Sequence, residues 1–298
     1  MNSLNEEWLQ KFLTYLEVER HYSLATVDNY RRDIIDFYQF LDEIKQSLLS
    51  VTVRDVRLYT NVLYDRHYKR TTMQRHMSSL RSFYRFLLQQ KQVDENPFEY
   101  VVMKRKEKRL PTFFYEKEME ALFQATEGEE PLQIRDQALL ETLYATGMRV
   151  SECVALKITD IDFNGRFLLV HGKGNKERYI PFNQHAAQSL QYYIETARRT
   201  LMKKTSHPYV FVNARGEALT TRGVRYILNQ IIKRSSLNSH IHPHELRHTF
   251  ATHLLNHGAD MRTVQELLGH VDLSSTQIYA HVTRESLQKT YRHCHPRA

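Results

Sequence analysis

Four short stretches of the chain hold residues whose types and spacing suit work on a phosphate. In HPHELRHTFATHLLNHG, residues 242–258, His244 and Arg247 stand three apart, a spacing that puts two side chains on one face of a helix. Pro243 suits the first turn of such a helix and Gly258 its C-terminal cap. Near that N-terminus, free backbone N–H groups and the helix dipole add to the pull on an anion. In ATGMRVSECVAL, residues 145–156, Arg149 lies just beyond Gly147 and Glu152 follows three residues on. The planar fork of Arg149 matches two phosphate oxygens, and Glu152 is placed to orient it. Lys173 occupies the tip of HGKGNKER between Gly172 and Gly174, glycines that let a lysine swing close to a ligand. In ELLGHVDLSSTQIYAHV, residues 266–282, His270 follows Gly269 at a helix end, and Tyr279 comes nine residues later.

Singly, each feature also has an ordinary explanation. His244 could cap its helix with Arg247 a surface charge, Arg149 and Glu152 could form an exposed ion pair of small value, and Lys173 could be a solvated turn lysine. Tyr279 is one of eighteen tyrosines, a residue type that more often packs than reacts.

The elements that must hold these residues can be read from periodicity. Leu24, Val27, Tyr30, Ile34, Phe37 and Leu41 recur at helical spacing, with Ser23 available as N-cap. Similar patterns at about 6–18, 53–65 and 72–89 predict an all-helical bundle over residues 1–90. Residues 91–111, with Pro97, Pro111 and the basic run Lys104, Arg105, Lys106, Lys108 and Arg109, read as a linker. That run is either solvated or laid along a nucleic-acid backbone. From 112 to 298 helices are expected at about 115–126, 132–146, 149–157, 184–202, 221–234, 243–256, 260–268 and 274–281. Between them, β-forming residues flank Gly172-Lys173-Gly174-Asn175 in the stretch 159–182 and predict strands around a tight turn. The fold class expected is thus mostly α with a small β-sheet, in two domains.

Composition narrows the partner. The 298 residues carry 42 Lys and Arg against 34 Asp and Glu, and the excess is uneven. Residues 1–50 hold five basic and nine acidic side chains, whereas residues 51–110 hold fourteen basic and six acidic. Concentrated positive charge suits a polyanion, although a solvated basic face fits it as well. Two cysteines exclude a disulfide framework. The acidic start lacks a signal peptide's basic region, and no apolar run approaches the roughly 20 residues of a membrane span, so a cytoplasmic protein is expected. Neither CxxC nor HExxH spacing occurs, so no metal is expected, and no GxxxxGK[ST] loop is present either.

Taken together, these residues resemble the tyrosine recombinases, the lambda-integrase family, and within it the bacterial Xer recombinases. The likeness runs through the helical N-terminal region, the linker ending in Arg109-Leu110-Pro111, ATGMRVSE, HGKGNKER, HPHELRHTFATHLL, LLGHVDLSSTQIYAHV and the terminal HPRA. LPTFFYEKEMEAL is more like the XerC branch than XerD. Six ordered positions match the family's catalytic set: Arg149, Lys173, His244, Arg247, His270 and Tyr279. The resemblance implies a SAM-like core-binding domain followed by an α+β catalytic domain. It also implies Tyr279 as nucleophile, Arg149 and Arg247 with His244 and His270 around the phosphate, His244 as base and Lys173 as general acid, and a covalent intermediate that stores the phosphodiester bond, so that no cofactor is expected.

The implied partners are a double-stranded DNA recombination site and a homo- or hetero-tetramer on it, with a second Xer recombinase, passing through a Holliday junction. In that arrangement the tail after Tyr279 docks on a neighbouring protomer. The implied role is resolution of chromosome and plasmid dimers at cell division, in the nucleoid, with a septal DNA translocase as a further partner. A mobile-element integrase, a relaxing topoisomerase and a non-catalytic DNA-binding protein are the alternatives.

Overall fold

The computed structural model describes residues 3–102, 113–172, 177–202, 206–237, 243–269 and 284–297. The chain forms two compact units, Met1–Lys108 and Arg109–Ala298, each with its own apolar core.

In the first unit, α1 (Ser3–Thr14) runs on into a short π-helical turn, Tyr15–Glu19, and α2 (Leu24–Glu43), α3 (Val53–Asp65) and α4 (Arg70–Gln89) follow. Their starts obey capping chemistry. The Ser23 side chain accepts from the Thr26 amide, and Thr52 and Asp55 exchange hydrogen bonds in a capping box. Val27, Ile34, Phe37 and Leu41 of α2 are buried as the spacing predicts, but Leu24, the first helical residue, is 78% exposed. Rings fill the centre: Phe37 meets Tyr59, Tyr84 and Phe98, while Phe12 meets Phe83 and Phe86. Within the expected linker lies Phe98. It is fully buried, and Arg81 donates from Nε and Nη2 to its carbonyl, each at 3.1 Å. The first part of the segment 91–111 therefore packs as body, while the basic run Lys104 to Arg109 lies outside the described residues.

A polar seam crosses this unit between α2 and α4. Asp33, 1% exposed, accepts from Arg75 and, at 2.7 Å, from the Ser79 hydroxyl, with His76 Nε2 3.2 Å away. Asp36 accepts from the Tyr59 hydroxyl at 2.8 Å and from Arg66 at 2.9 Å, and Tyr59 also meets His76 Nδ1 at 3.0 Å.

The second unit opens with α5 (Glu116–Gln124) and α6 (Pro131–Thr146). Buried residues lie on every side of α6, which is the central helix of this unit. After α7 (Val150–Ala155) comes an antiparallel sheet, β1 (Ile161–Asp162), β2 (Phe167–His171) and β3 (Glu177–Pro181), in that spatial order. β2 pairs with β3 from Phe167 opposite Pro181 to His171 opposite Glu177. The helix expected over 184–202 is two, α8 (Gln184–Glu195) and α9 (Ala197–Met202). The break falls at Thr196, and in the second helix the buried guanidinium of Arg198 donates to the carbonyls of His207, Tyr209 and Val210. α10 (Thr221–Arg234), α11 (Pro243–Asn256) and α12 (Met261–Leu268) match the expected elements, and the helix expected at 274–281 lies outside the described residues.

A further helix, α13 (Arg284–Cys294), appears where none was expected. It buries Tyr291 and Cys294 in this unit's own core, and Gln288 donates to the Gly165 carbonyl at 3.0 Å. Beyond it Arg297 pairs with Glu141 and lies 4.1 Å from the Phe123 ring centroid. In the single chain, residues 284–297 of the tail are seated on the unit's own core.

Candidate active site

Two glycines shape the backbone at the site. Gly147 ends α6 in the left-handed conformation, at φ +57°, and a Cβ there would stand 2.3 Å from the Phe250 ring. The turn it makes sets Arg149 as the N-cap of α7. Glu152, one helical turn on, reaches back so that its Oε2 accepts the Arg149 amide at 2.8 Å, while its Oε1 accepts from the Arg149 guanidinium at 2.9 Å. One carboxylate thus fixes both the backbone and the side chain of Arg149. Gly269 is the second glycine, at φ +65°, closing α12 and turning the chain toward residue 270.

The end of α12 gathers three arginines. A helix C-terminus leaves carbonyls without intrahelical partners and carries partial negative charge. Here three successive carbonyls are used by three different elements. Arg178 of β3 donates from Nε to Leu267 at 3.2 Å, Arg247 of α11 donates from Nη2 to Leu268, and Arg149 donates from Nη2 to Gly269 at 3.4 Å. Arg247, only 8% exposed, also donates from Nη1 to the Gly147 carbonyl at 2.7 Å. It therefore ties both left-handed turns together. Arg178 meets Glu152 with two prongs, Nη1 to Oε1 at 3.0 Å and Nη2 to Oε2 at 2.8 Å.

Two guanidinium groups thus bond one carboxylate and a third, Arg247, lies within its field, leaving an electropositive cluster. Its effects show on the groups themselves. Burial first, then the neighbouring Arg149 and Arg178, push the Arg247 guanidinium down to about 10, against the opposing pull of Glu152. Burial would raise the Glu152 carboxyl, but hydrogen bonds from Arg178 and the Arg149 amide hold it below the usual carboxylate range. An anion entering beside Arg149, whose side chain is 37% exposed, meets donors already fixed by the fold.

Of the residues singled out in the sequence, Arg149, Glu152 and Arg247 come together here. The backbone of His244 begins α11 one turn before Arg247, and nothing further is described of its side chain. Lys173, His270 and Tyr279 lie outside the described residues, Lys173 between β2 and β3 in the sequence and His270 directly after Gly269. Sequence reasoning missed Arg178. Its signal was alternation: Arg178 shares the inward side of β3 with Ile180, between the exposed Glu177 and Tyr179. Among the described residues no three His, Cys, Asp or Glu side chains are grouped to hold a metal ion, and no helix is long and apolar enough to cross a membrane.

Residues 112–286 match the Phage integrase family, and residues 9–91 match the Phage integrase, N-terminal SAM-like domain. The chain is 48% identical to the tyrosine recombinase XerC of Bacillus subtilis (strain 168), across 98% of this chain and 97% of that protein. It is similar in structure to XerA recombinase, at 29% identity and a TM-score of 0.51, covering 99% of this chain and 100% of the other. XerH site-specific recombinase bound to difH substrate gives a TM-score of 0.67 at 24% identity, covering 94% of this chain and 82% of the other, a likeness of fold.

Proposed function

The chain belongs to the Phage integrase family as a XerC-like, site-specific tyrosine recombinase, a DNA strand-exchange enzyme, and from that premise we propose how its residues divide the work. Tyr279 attacks a backbone phosphate, its hydroxyl proton passes to His244, and the bond from phosphorus to the 5′ oxygen breaks. Lys173 protonates the departing oxygen, leaving a 3′-phosphotyrosyl enzyme and a free 5′ hydroxyl. Charge that builds on the non-bridging oxygens is met by Arg149 and Arg247, with His244 and His270 as further donors. Tyrosine ordinarily titrates near pH 10, so the field of the arginines is as necessary as the base. Because the phosphotyrosyl bond conserves the phosphodiester, the 5′ hydroxyl of another strand can reverse the step without ATP.

One observation carries this division of labour. Arg149 and Arg247, 98 residues apart, donate to the adjacent carbonyls of Gly269 and Leu268, immediately before His270 in the sequence. A structural ion pair needs no such convergence, whereas a phosphate site does. On DNA the reading extends to a tetramer on two recombination sites, joined through a Holliday junction and including a second Xer recombinase. The basic run from Lys104 to Arg109 lies along the duplex backbone. Resolution of chromosome and plasmid dimers at cell division, in the nucleoid and under a septal DNA translocase, is the role proposed for it. Relatives of this identity carry the name XerC, which supports the role.

The test is a covalent adduct. A binding site is selected from random-sequence duplexes, then built into a nicked suicide substrate and offered to the chain alone and with a second Xer recombinase of the same genome. The expected result is an adduct that survives a denaturing gel and disappears in Tyr279→Phe. No adduct from the wild type, or an undiminished one from Tyr279→Phe, overturns the assignment and leaves a DNA-binding protein without catalysis.

A further inference from the structure

Arg178 makes contacts that a solvated hairpin charge does not need. Its side chain is only 15% exposed. It spends two nitrogens on the two oxygens of Glu152 and the third on the Leu267 carbonyl, so all three guanidinium nitrogens are engaged inside the protein. Gly269 is fitted around it: a Cβ at Gly269 would lie 3.0 Å from both Cζ and Nε of Arg178. β3 carries Arg178 and begins four residues after Lys173 in the sequence, while α12 ends two residues before His270. Glu152 in turn holds Arg149 by backbone and side chain. Arg178 therefore touches, directly or through one carboxylate, the supports of three residues assigned to the chemistry.

We propose that Arg178 is a positioning residue for strand cleavage: acting through Glu152 and the C-terminal end of α12, it sets the guanidinium of Arg149 and joins the β2–β3 hairpin to the segment entering His270. The inference rests on the strand-cleavage reading above. That reading assigns the phosphate to Arg149 and Arg247, and Arg178 is assigned no contact with it. What Arg178 supplies is a fixed, ionised Glu152. The charged groups acting on that carboxylate are Arg149 from the start of α7, Arg178 from β3 and Arg247 from α11. Arg247 spends its terminal nitrogens on the Gly147 and Leu268 carbonyls, so Arg149 and Arg178 alone hydrogen-bond the carboxylate among the described residues. Removing Arg178 leaves Glu152 buried with one partner, and burial then moves its titration upward.

The experiment uses the full chain on the selected nicked duplex. Arg178→Ala is expected to slow single-turnover cleavage by on the order of 10- to 100-fold, the loss usual when the group orienting a functional ligand is removed. Affinity for the same duplex, read by gel shift in the Tyr279→Phe background, is expected to stay near wild type. The rate of Arg178→Ala should also fall on acidification at a higher pH than the wild-type rate does, because protonating Glu152 releases Arg149. Arg178→Lys, which keeps the charge but not the two-pronged contact, should recover part of the rate.

A wild-type rate in Arg178→Ala, a pH profile parallel to wild type, or affinity lost in step with rate overturns the positioning role while leaving the cleavage reading intact. Absence of adduct from the wild type overturns both. Should Arg178→Ala fail to melt cooperatively, Arg178→Lys carries the same measurements, and its failure to fold would make Arg178 a strut and end the proposal.

Discussion

Each unit of the chain holds a cluster of buried charge, and the two are built on opposite plans. In the seam of the first unit, Asp33 and Asp36 are each met by an arginine and by hydroxyl or imidazole partners, all within that unit. Acid and base are matched. In the second unit, Glu152 faces Arg149, Arg178 and Arg247, and the surplus positive charge is held in place by the carbonyls of a helix end. A matched cluster satisfies itself and contributes to the fold. An unmatched one stores attraction for something that is not part of the protein, at a cost the surrounding hydrogen bonds must offset.

Removing one member from each cluster should give opposite signatures. Arg149→Ala has the larger effect. Single-turnover cleavage is expected to fall by about 10²- to 10³-fold, the usual loss for one donor to a developing oxyanion. The fold should lose no more than about 1 kcal/mol, as for a partly exposed ion pair, because Arg178 keeps Glu152 paired. A loss of stability large enough to account for the loss of rate would erase the distinction between the clusters.

Asp33→Ala tests the other side. Three partners lose a buried carboxylate, and the first unit is expected to lose about 3 kcal/mol of stability. The chain has one tryptophan, Trp8, buried in this unit, so its fluorescence during urea unfolding reports the unit selectively. Below its unfolding midpoint the variant should cleave bound duplex at the wild-type rate. A slowed rate there would assign the seam a part in the chemistry.

The clusters also differ in how far they could be read from sequence. Helical spacing predicted α2, α3, α10, α11 and α12, and the caps Ser23 and Asp260 fix their starts as such residues should. β-forming residues around a glycine turn predicted β2 and β3. Arg149 and Glu152 were legible because a three-residue spacing on a helix already fixes their relation. Arg178 was not. Its partner position across the sheet, Val170, and the carboxylate it meets depend on strand register and tertiary packing, while locally it resembles the solvated charges of a hairpin. The receiving surface for all three arginines is backbone, and backbone carbonyls have no letter in a sequence. The seam of the first unit was likewise hidden, since Asp33 and His76 sit among residues that read as the polar faces of α2 and α4. α13 was missed for a related reason: only Leu287, Tyr291 and Cys294 mark its inner side, too few to stand out from a polar segment.

The seat of the C-terminal tail is a third polar cluster and decides whether matched charge marks structure generally. Arg297 pairs with Glu141, and His295, 5% exposed, stacks on Tyr291 with its ring centroid 4.9 Å away and approaches the Tyr144 carbonyl at 3.4 Å. Burial pushes the His295 imidazole down to about 3. The folded chain therefore takes up this proton less readily than the unfolded chain, whose histidines titrate near 6.5. The stability His295 contributes is complete above about pH 6.5 and is lost as the pH falls from there through about 3. His295→Gln removes the titration, so the difference in stability between wild type and variant should shrink on acidification across that window, followed by far-UV circular dichroism during thermal unfolding. A difference that grew on acidification instead would mean that His295 takes up its proton more readily in the folded chain than in the unfolded one and is charged in its seat. The tail seat would then carry unmatched charge like the site around Glu152, and its docking would belong with function.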